Sequence, residues 1–379
     1  MENSRRRQRD TGLAVFFVSG ICSISSGVVV SILQEKYGFA YGMTGTLLSM
    51  MSIGNLLAGF GAGILPGKIG MKKTMALLTG GYALGYGAMA LWGQIWLLLA
   101  AFFLVGIAKG SVINCCTILV GDNSRDRTKG MNVMHGCYAF GALLCPFLIA
   151  GALKAGDGLV MAALALCGLS VWLAFMAVPV ERVKGKTARK TDWGFLRNRK
   201  FWLLTGLLFC QNAAETSVNG WLVTYFKGSG ILTGTMSAYT VTVMWSATLT
   251  ARMLIAFVIP LKNAYKAMMV MGLSCTVFYM GLMTADTQTW AIVLLFAFAF
   301  AMAGMNPTAV ASAGKMTSVT SMGIMLPAAS SGAILMPWVI GIVGERWGIR
   351  AGMASNILPC AGMLLFGAAI WHLCKKEPA

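Results

Sequence analysis

The sequence predicts an all-α integral membrane protein with twelve transmembrane helices arranged as two pseudo-symmetric six-helix bundles. Three observations carry that expectation. The 379 residues are 57% apolar and only 11% charged, with a mean hydropathy of +0.73, too little charge to clothe a soluble domain of this length. The chain also repeats itself: Thr44-Gly45-Thr46 returns 189 residues later as Thr233-Gly234-Thr235. Likewise Gly141-Ala142-Leu143-Leu144-Cys145-Pro146 returns after 191 residues as Gly332-Ala333-Ile334-Leu335-Met336-Pro337. Tandem helical bundles related by an axis along the membrane normal form a secondary-transporter architecture, with the site expected where the halves meet. Finally, the basic residues fall almost wholly on one side of the expected spans.

Crossing a hydrocarbon core takes about 20 apolar residues per helix. Such segments run at 11–33, 41–65, 72–92, 95–120, 129–152, 158–180, 200–226, 235–261, 266–284, 288–313, 318–343 and 349–374. The N-terminal bundle occupies 1–180 and the C-terminal bundle 200–379, with a basic cytoplasmic linker at 181–199. The Arg-rich start, Met1 to Asp10, precedes a long first span and reads as a cytoplasmic tail rather than a signal peptide. With the N-terminus inside, 23 of the 30 Lys and Arg lie in cytoplasmic segments and five lie outside. The positive-inside rule therefore places both termini in the cytoplasm, and the plasma (cytoplasmic) membrane is the expected location. The formal charge of +18 then reflects topology and contact with membrane lipid, and no nucleic-acid partner is implied.

Nearly all of the ten cysteines fall inside spans, and none forms a CxxC pair, so they read as small packing residues rather than disulfide or metal ligands. The 46 glycines allow close helix approach where hydrophobicity gives no preference. There is no glycine-rich phosphate loop, no Ser/His/Asp set and no paired carboxylates. Neither an enzyme nor a cofactor is expected.

Between the second and third spans, Gly63-Ile64-Leu65-Pro66-Gly67-Lys68-Ile69-Gly70-Met71-Lys72-Lys73 resembles the cytoplasmic loop signature of the major facilitator superfamily, with Gly67 where that signature usually carries an acid. The Pro-Gly form of the loop is similar to the fucose–galactose–gluconate proton symporter family and its sugar-transporting relatives. So are Asn132-Val133-Met134-His135 with Gly141 and Pro146, Glu215 with Trp221 and Tyr225, and Gly332 with Pro337 and Gly341. The resemblance implies alternating access, sugar uptake and proton symport. One departure matters: proton-coupled fucose transporters of that family carry acids in the first and fourth spans. Here the first span offers only Ser19, Ser23, Ser25 and Ser26, and the fourth offers Lys109-Gly110-Ser111 and Asn114.

Of twelve acids, Glu215 alone lies deep inside a span. An intramembrane charge costs about 2.5–3.5 kcal/mol on insertion scales and faces a cavity or a partner. At 100° per residue, Gln211, Asn212, Glu215 and Asn219 share an arc of about 100° on the seventh helix. Such a stripe is expected to turn inward, either as a substrate and proton site or as a structural polar seam. Lys109, mid-span in the fourth helix, has three readings: an ion pair with Glu215, a structural contact, or capture of an anionic substrate. His135 is either a proton relay or substrate contact, or a satisfied structural donor. Arg252, near the inner end of the eighth span, reads as a gating or structural residue. Asn114 and Asn306, in corresponding parts of the fourth and tenth spans, are candidates to reach substrate hydroxyls. Trp221 leads the aromatic residues, which also include Tyr225, Tyr239 and Trp245, as a flat face for a sugar ring. Pro146 and Pro337 occupy equivalent places in the two halves and are expected to bend helices.

The expected function is a secondary active transporter that moves a small polar solute, a sugar or sugar derivative including anionic ones, in symport with protons or alternatively sodium. A monomer is expected. The competing readings are an exporter of amphipathic compounds, which the 27 methionines keep open, and a non-coupled sensor or lipid-moving protein of the same fold.

Overall fold

The computed structural model describes residues 2–125, 127–178, 194–258, 261, 263–314 and 319–375. Each of the twelve expected spans is helical there, and four of them are interrupted. The first is α1 (Glu2–Ile24) with α2 (Ser26–Tyr37), the second α3 (Tyr41–Ile69), and the third α4 (Met71–Thr79) with α5 (Gly81–Leu91). Then come α6 (Ile95–Asn123), α7 (Arg127–Leu153) and α8 (Asp157–Ala177). The second half holds α9 (Arg199–Ser229), α10 (Gly234–Phe257), α11 (Ala264–Thr284), α12 (Gln288–Met302) with α13 (Met305–Gly314), α14 (Val319–Trp347), and α15 (Ile349–Ala354) with α16 (Ile357–Lys375).

The chain forms two compact units, Met1–Phe39 with Thr46–Thr187, and Ala40–Gly45 with Ala188–Ala379. Most of the linker expected at 181–199 lies outside the described residues, and its end forms a single 3-10 turn, Gly194–Arg197. In the first unit α1 packs on α6, α7 and α8, and α5 packs on α6 and α8. In the second, α9 packs on α14, α16 and α10, and α11 packs on α16 and α12.

The repeat is visible in the backbone. Gly38 ends α2 in the left-handed region (φ 65°), and Gly230, 192 residues on, ends α9 likewise (φ 70°). The turns before α8 and α15 use Gly156 (φ 111°) and Gly348 (φ 85°), again 192 apart. Glycine enters this region at no steric cost, so both repeats kept it. The duplicated Gly-Ala motif marks a helix crossing. A methyl at Gly141 of α7 would overlap the Phe17 carbonyl of α1, and one at Gly332 of α14 would overlap the Phe209 carbonyl of α9. Small residues allow that approach where lipid gives no hydrophobic drive.

At each interruption a side chain donates to a carbonyl beside the break, as a lipid-embedded backbone requires. Ser25 and Tyr86 donate to Cys22 O (2.8 and 2.5 Å) between α1 and α2. Trp172 donates to Ala76 O (2.9 Å) just before Gly80. Arg252 donates to Ala303 O (3.4 Å) between α12 and α13, and Tyr279 to Met353 O (2.8 Å) ahead of α16.

The loop that carries the signature sequence is shorter than expected. Pro66 and Gly67 lie inside α3, and Gly70 (φ 86°) alone joins α3 to α4. Lys72 then donates to Phe175 O, Met176 O and Val178 O (3.0, 2.6 and 2.6 Å), which caps the C-terminal end of α8 with a cation.

Among the described residues, nine helical stretches are long and apolar enough to cross a membrane, and α4–α5, α9 and α10 are not among them. Their length suffices, but their composition is polar. α4 carries Lys72 and Lys73 in its first turn, α10 is rich in Thr and Ser, and α9 carries the Gln-Asn-Glu-Asn stripe.

Candidate functional site

The stripe on α9 is organised as a chain of hydrogen bonds with a direction. Gln211, Glu215 and Asn219 are spaced four residues apart, so their side chains stack along one helix face. Gln211 donates its amide to the Glu215 carboxylate. Asn306, the second residue of α13, donates to Gln211 Oε1 (2.8 Å). From the other end, Trp245 of α10 donates its indole N–H to Asn219 Oδ1 (3.2 Å), and Asn219 donates to the Glu215 backbone carbonyl (3.0 Å). Two helices thus send donors through amides toward one acidic residue on a third. Gln211 is 1% exposed and Trp245 5%, while Glu215, Asn219 and Asn306 are half-buried. The chain is thus buried at Gln211 and Trp245 and partly exposed at its other three members. Asn212, one residue along the helix, is half-buried and lies outside this chain.

Asn306 reaches Gln211 because α12 stops at Met302 and α13 restarts at Met305. The Arg252 guanidinium at Ala303 O supports that interruption, which gives the expected gating or structural residue a concrete contact.

Trp221 has no exposed surface, and its indole N–H donates to Pro337 O (3.0 Å). Its ring meets Tyr41 edge-on at 6.1 Å. In this structure it ties α9 to α14 instead of presenting a flat face, because a ring buried on both sides has none to offer. Tyr225 is likewise fully buried. Trp245 is a donor within the chain, a role that sequence spacing did not suggest.

In the first unit, Lys109 is half-buried on α6, and Asn114 donates to Gly110 O of its own helix (2.9 Å). His135 is exposed on α7, with its ring edge-on to Phe16 at 5.7 Å. The serines of the first span join a cluster that the sequence reading missed. Ser19 (2.9 Å) and Ser23 (2.5 Å) both meet the Tyr82 hydroxyl, and Ser25 meets that of Tyr86 (2.8 Å). All five residues are buried. The available signal was a matched spacing, Ser19 with Ser23 and Tyr82 with Tyr86, each four residues apart on facing helices.

A family model described as Major Facilitator Superfamily matches residues 11–326. No curated protein matches the chain. Among solved structures, a mutant form of the nucleoside transporter NupG superposes with a TM-score of 0.80 at 12% identity, covering 97% of this chain and 99% of that one. A bacterial homologue of the human lysosomal transporter Spinster, in an inward-facing and occupied conformation, gives a TM-score of 0.78 at 13% identity, covering 99% of both chains. At those identities the likeness shows the fold, and the family match across most of the chain shows the membership. The chain belongs to the major facilitator superfamily.

Proposed function

We propose that this protein is a secondary active transporter that carries a small hydroxyl-rich solute, a sugar or sugar derivative, in symport with protons taken up at Glu215. The observation that carries the reading is the donor chain running through Gln211 to Glu215. An ionised carboxylate at the end of such a chain accepts a charge-assisted hydrogen bond, roughly twice as strong as a neutral one. Protonation removes that advantage and loosens Gln211, which in turn holds Asn306 on another helix. Proton uptake at one side chain therefore weakens a link between α9 and α13. The half-buried members of the chain are amides and a carboxylate, groups that donate to and accept from hydroxyls.

The similarity of the Pro-Gly loop to sugar–proton symporters supports the same solute class. Nucleosides, the substrates named for one of the similar structures, are themselves sugar derivatives and belong in the same test. Lys109 is the residue proposed to favour anionic derivatives. His135, exposed beside Phe16, is the second candidate for proton relay. Both termini are proposed to be cytoplasmic.

The test is uptake of labelled sugars, sugar acids and nucleosides into proteoliposomes, with and without an inward proton gradient. Wild-type protein accumulates a substrate under the gradient. Glu215→Gln loses accumulation and keeps solute exchange. Accumulation that persists in the variant refutes Glu215 as the coupling group. If no member of the panel is carried while lipophilic cations are, the solute class is wrong and the exporter reading replaces it.

A further inference from the structure

We infer that a cavity at the N-terminal end of α1 binds an anionic phosphate ester, a function separate from the polar chain on α9. The cavity is a surface cleft of about 680 Å3, within the range of small-molecule sites, and four arginines line it: Arg5, Arg6 and Arg9 from α1, and Arg125 from the segment after α6. The two segments meet because α1 lies against the end of α6, where a methyl on Gly12 would come within 2.7 Å of Val120.

The negative charge nearby is smaller. Asp122 lines the cavity, and Asp10 is shared by Arg6 (3.7 Å) and Arg9 (2.8 Å). Among the described residues the cluster keeps two positive charges in excess. Membrane topology requires basic residues near a span end, but it does not require them to converge on one cavity from segments more than a hundred residues apart. Converging guanidinium forks match the planar, bidentate geometry of phosphate oxygens.

That chemistry has two sources, an anionic lipid headgroup or a soluble phosphate ester. The cavity's position favours the lipid. The arginines of α1 lie at the start of Asn3–Tyr37, a stretch long and apolar enough to cross a membrane, and basic residues at a span end meet anionic headgroups.

The full chain, purified in a neutral detergent, is titrated with phosphatidylglycerol, with phosphatidylcholine at equal mole fraction, and with inorganic phosphate, reading the melting temperature. Phosphatidylglycerol is expected to raise it saturably. In the triple variant Arg5→Gln/Arg9→Gln/Arg125→Gln the half-saturating concentration rises roughly a hundredfold, since each arginine near an anionic surface is worth about a factor of five. The double variant Arg197→Gln/Arg199→Gln, changed outside the cavity, behaves as wild type. A response to inorganic phosphate that the triple variant loses assigns the site to soluble esters. Should the triple variant fail to fold, Arg5→Gln/Arg6→Gln, both exposed, carries the same test. The inference is overturned if neither anion shifts the melting temperature, if phosphatidylcholine acts as well as phosphatidylglycerol, or if the arginine variants keep the wild-type half-saturation.

Discussion

A displacement of 192 residues, which carries Gly38 onto Gly230 and Phe17 onto Phe209, also carries Ser19 onto Gln211 and Ser23 onto Glu215. In the first unit the two serines are 0% and 1% exposed and share the Tyr82 hydroxyl. In the second, the equivalent pair is an amide bonded to a half-buried carboxylate, and the amide receives Asn306 from α13. Asn114 is the counterpart of Asn306 by the same displacement, yet its amide donates within its own helix, to Gly110 O. Where backbones touch, as at Gly141 and Gly332, no side chain fits and both repeats are alike. Where side chains meet, the repeats have diverged, one into a neutral closed cluster and the other into an ionisable open one.

That contrast breaks most visibly if charge is moved between the units. Ser25→Asp, placed among the buried hydroxyls, is expected to cost about 3 kcal/mol and to lower the melting temperature sharply. Glu215→Gln, which removes a charge from the second unit, leaves the melting temperature at or above that of the wild type. Comparable losses in both proteins would mean that the two environments do not differ.

The shared packing predicts a matched pair of smaller losses. Gly141→Ala and Gly332→Ala each place a methyl against a carbonyl oxygen and are expected to cost about 1–3 kcal/mol, by equal amounts, in thermal unfolding. A loss in only one would show that the two crossings are not equivalent.

Next in size, Asn306→Ala removes the donor to Gln211 and is expected to raise the KM for transport about tenfold, the worth of one hydrogen bond to a substrate-bearing amide. Asn114→Ala, its counterpart, leaves KM unchanged. The smallest effect is expected from Tyr86→Phe, which deletes the hydroxyl at Cys22 O and costs about 1 kcal/mol of stability without altering proton-driven uptake.

Much of the fold was legible because hydropathy and repeats are averaged over many residues. The twelve spans and their pairing followed from apolar runs and from two short motifs. The four interruptions were not legible. Ser25, Gly80, Ala303 and Ser355 look unremarkable in sequence, and what marks them is a donor arriving from a distant helix. The stripe of Gln211, Glu215 and Asn219 was visible from helical spacing, and Asn306 from its place in the repeat. The bond from the Trp221 indole to Pro337 was not legible, because it spans 116 residues, beyond any local pattern. The Ser–Tyr cluster was not legible because the tyrosines lie 59–63 residues from the serines they meet.

The polar chain on α9 also has a consequence for biosynthesis. A helix carrying Gln211, Asn212, Glu215 and Asn219 is a poor membrane segment while it stands alone. Trp245 follows Asn219 by 26 residues, and Asn306 follows Gln211 by 95. At about 5–20 residues per second, the ribosome needs about 5–20 s after making Gln211 before its last partner exists. During that interval the nascent chain holds Asn219 and Gln211 at the translocon before the partners that α10 and α13 bring to them exist. The residues proposed to move a solute thus set the window in which the unfinished protein is most exposed to quality control.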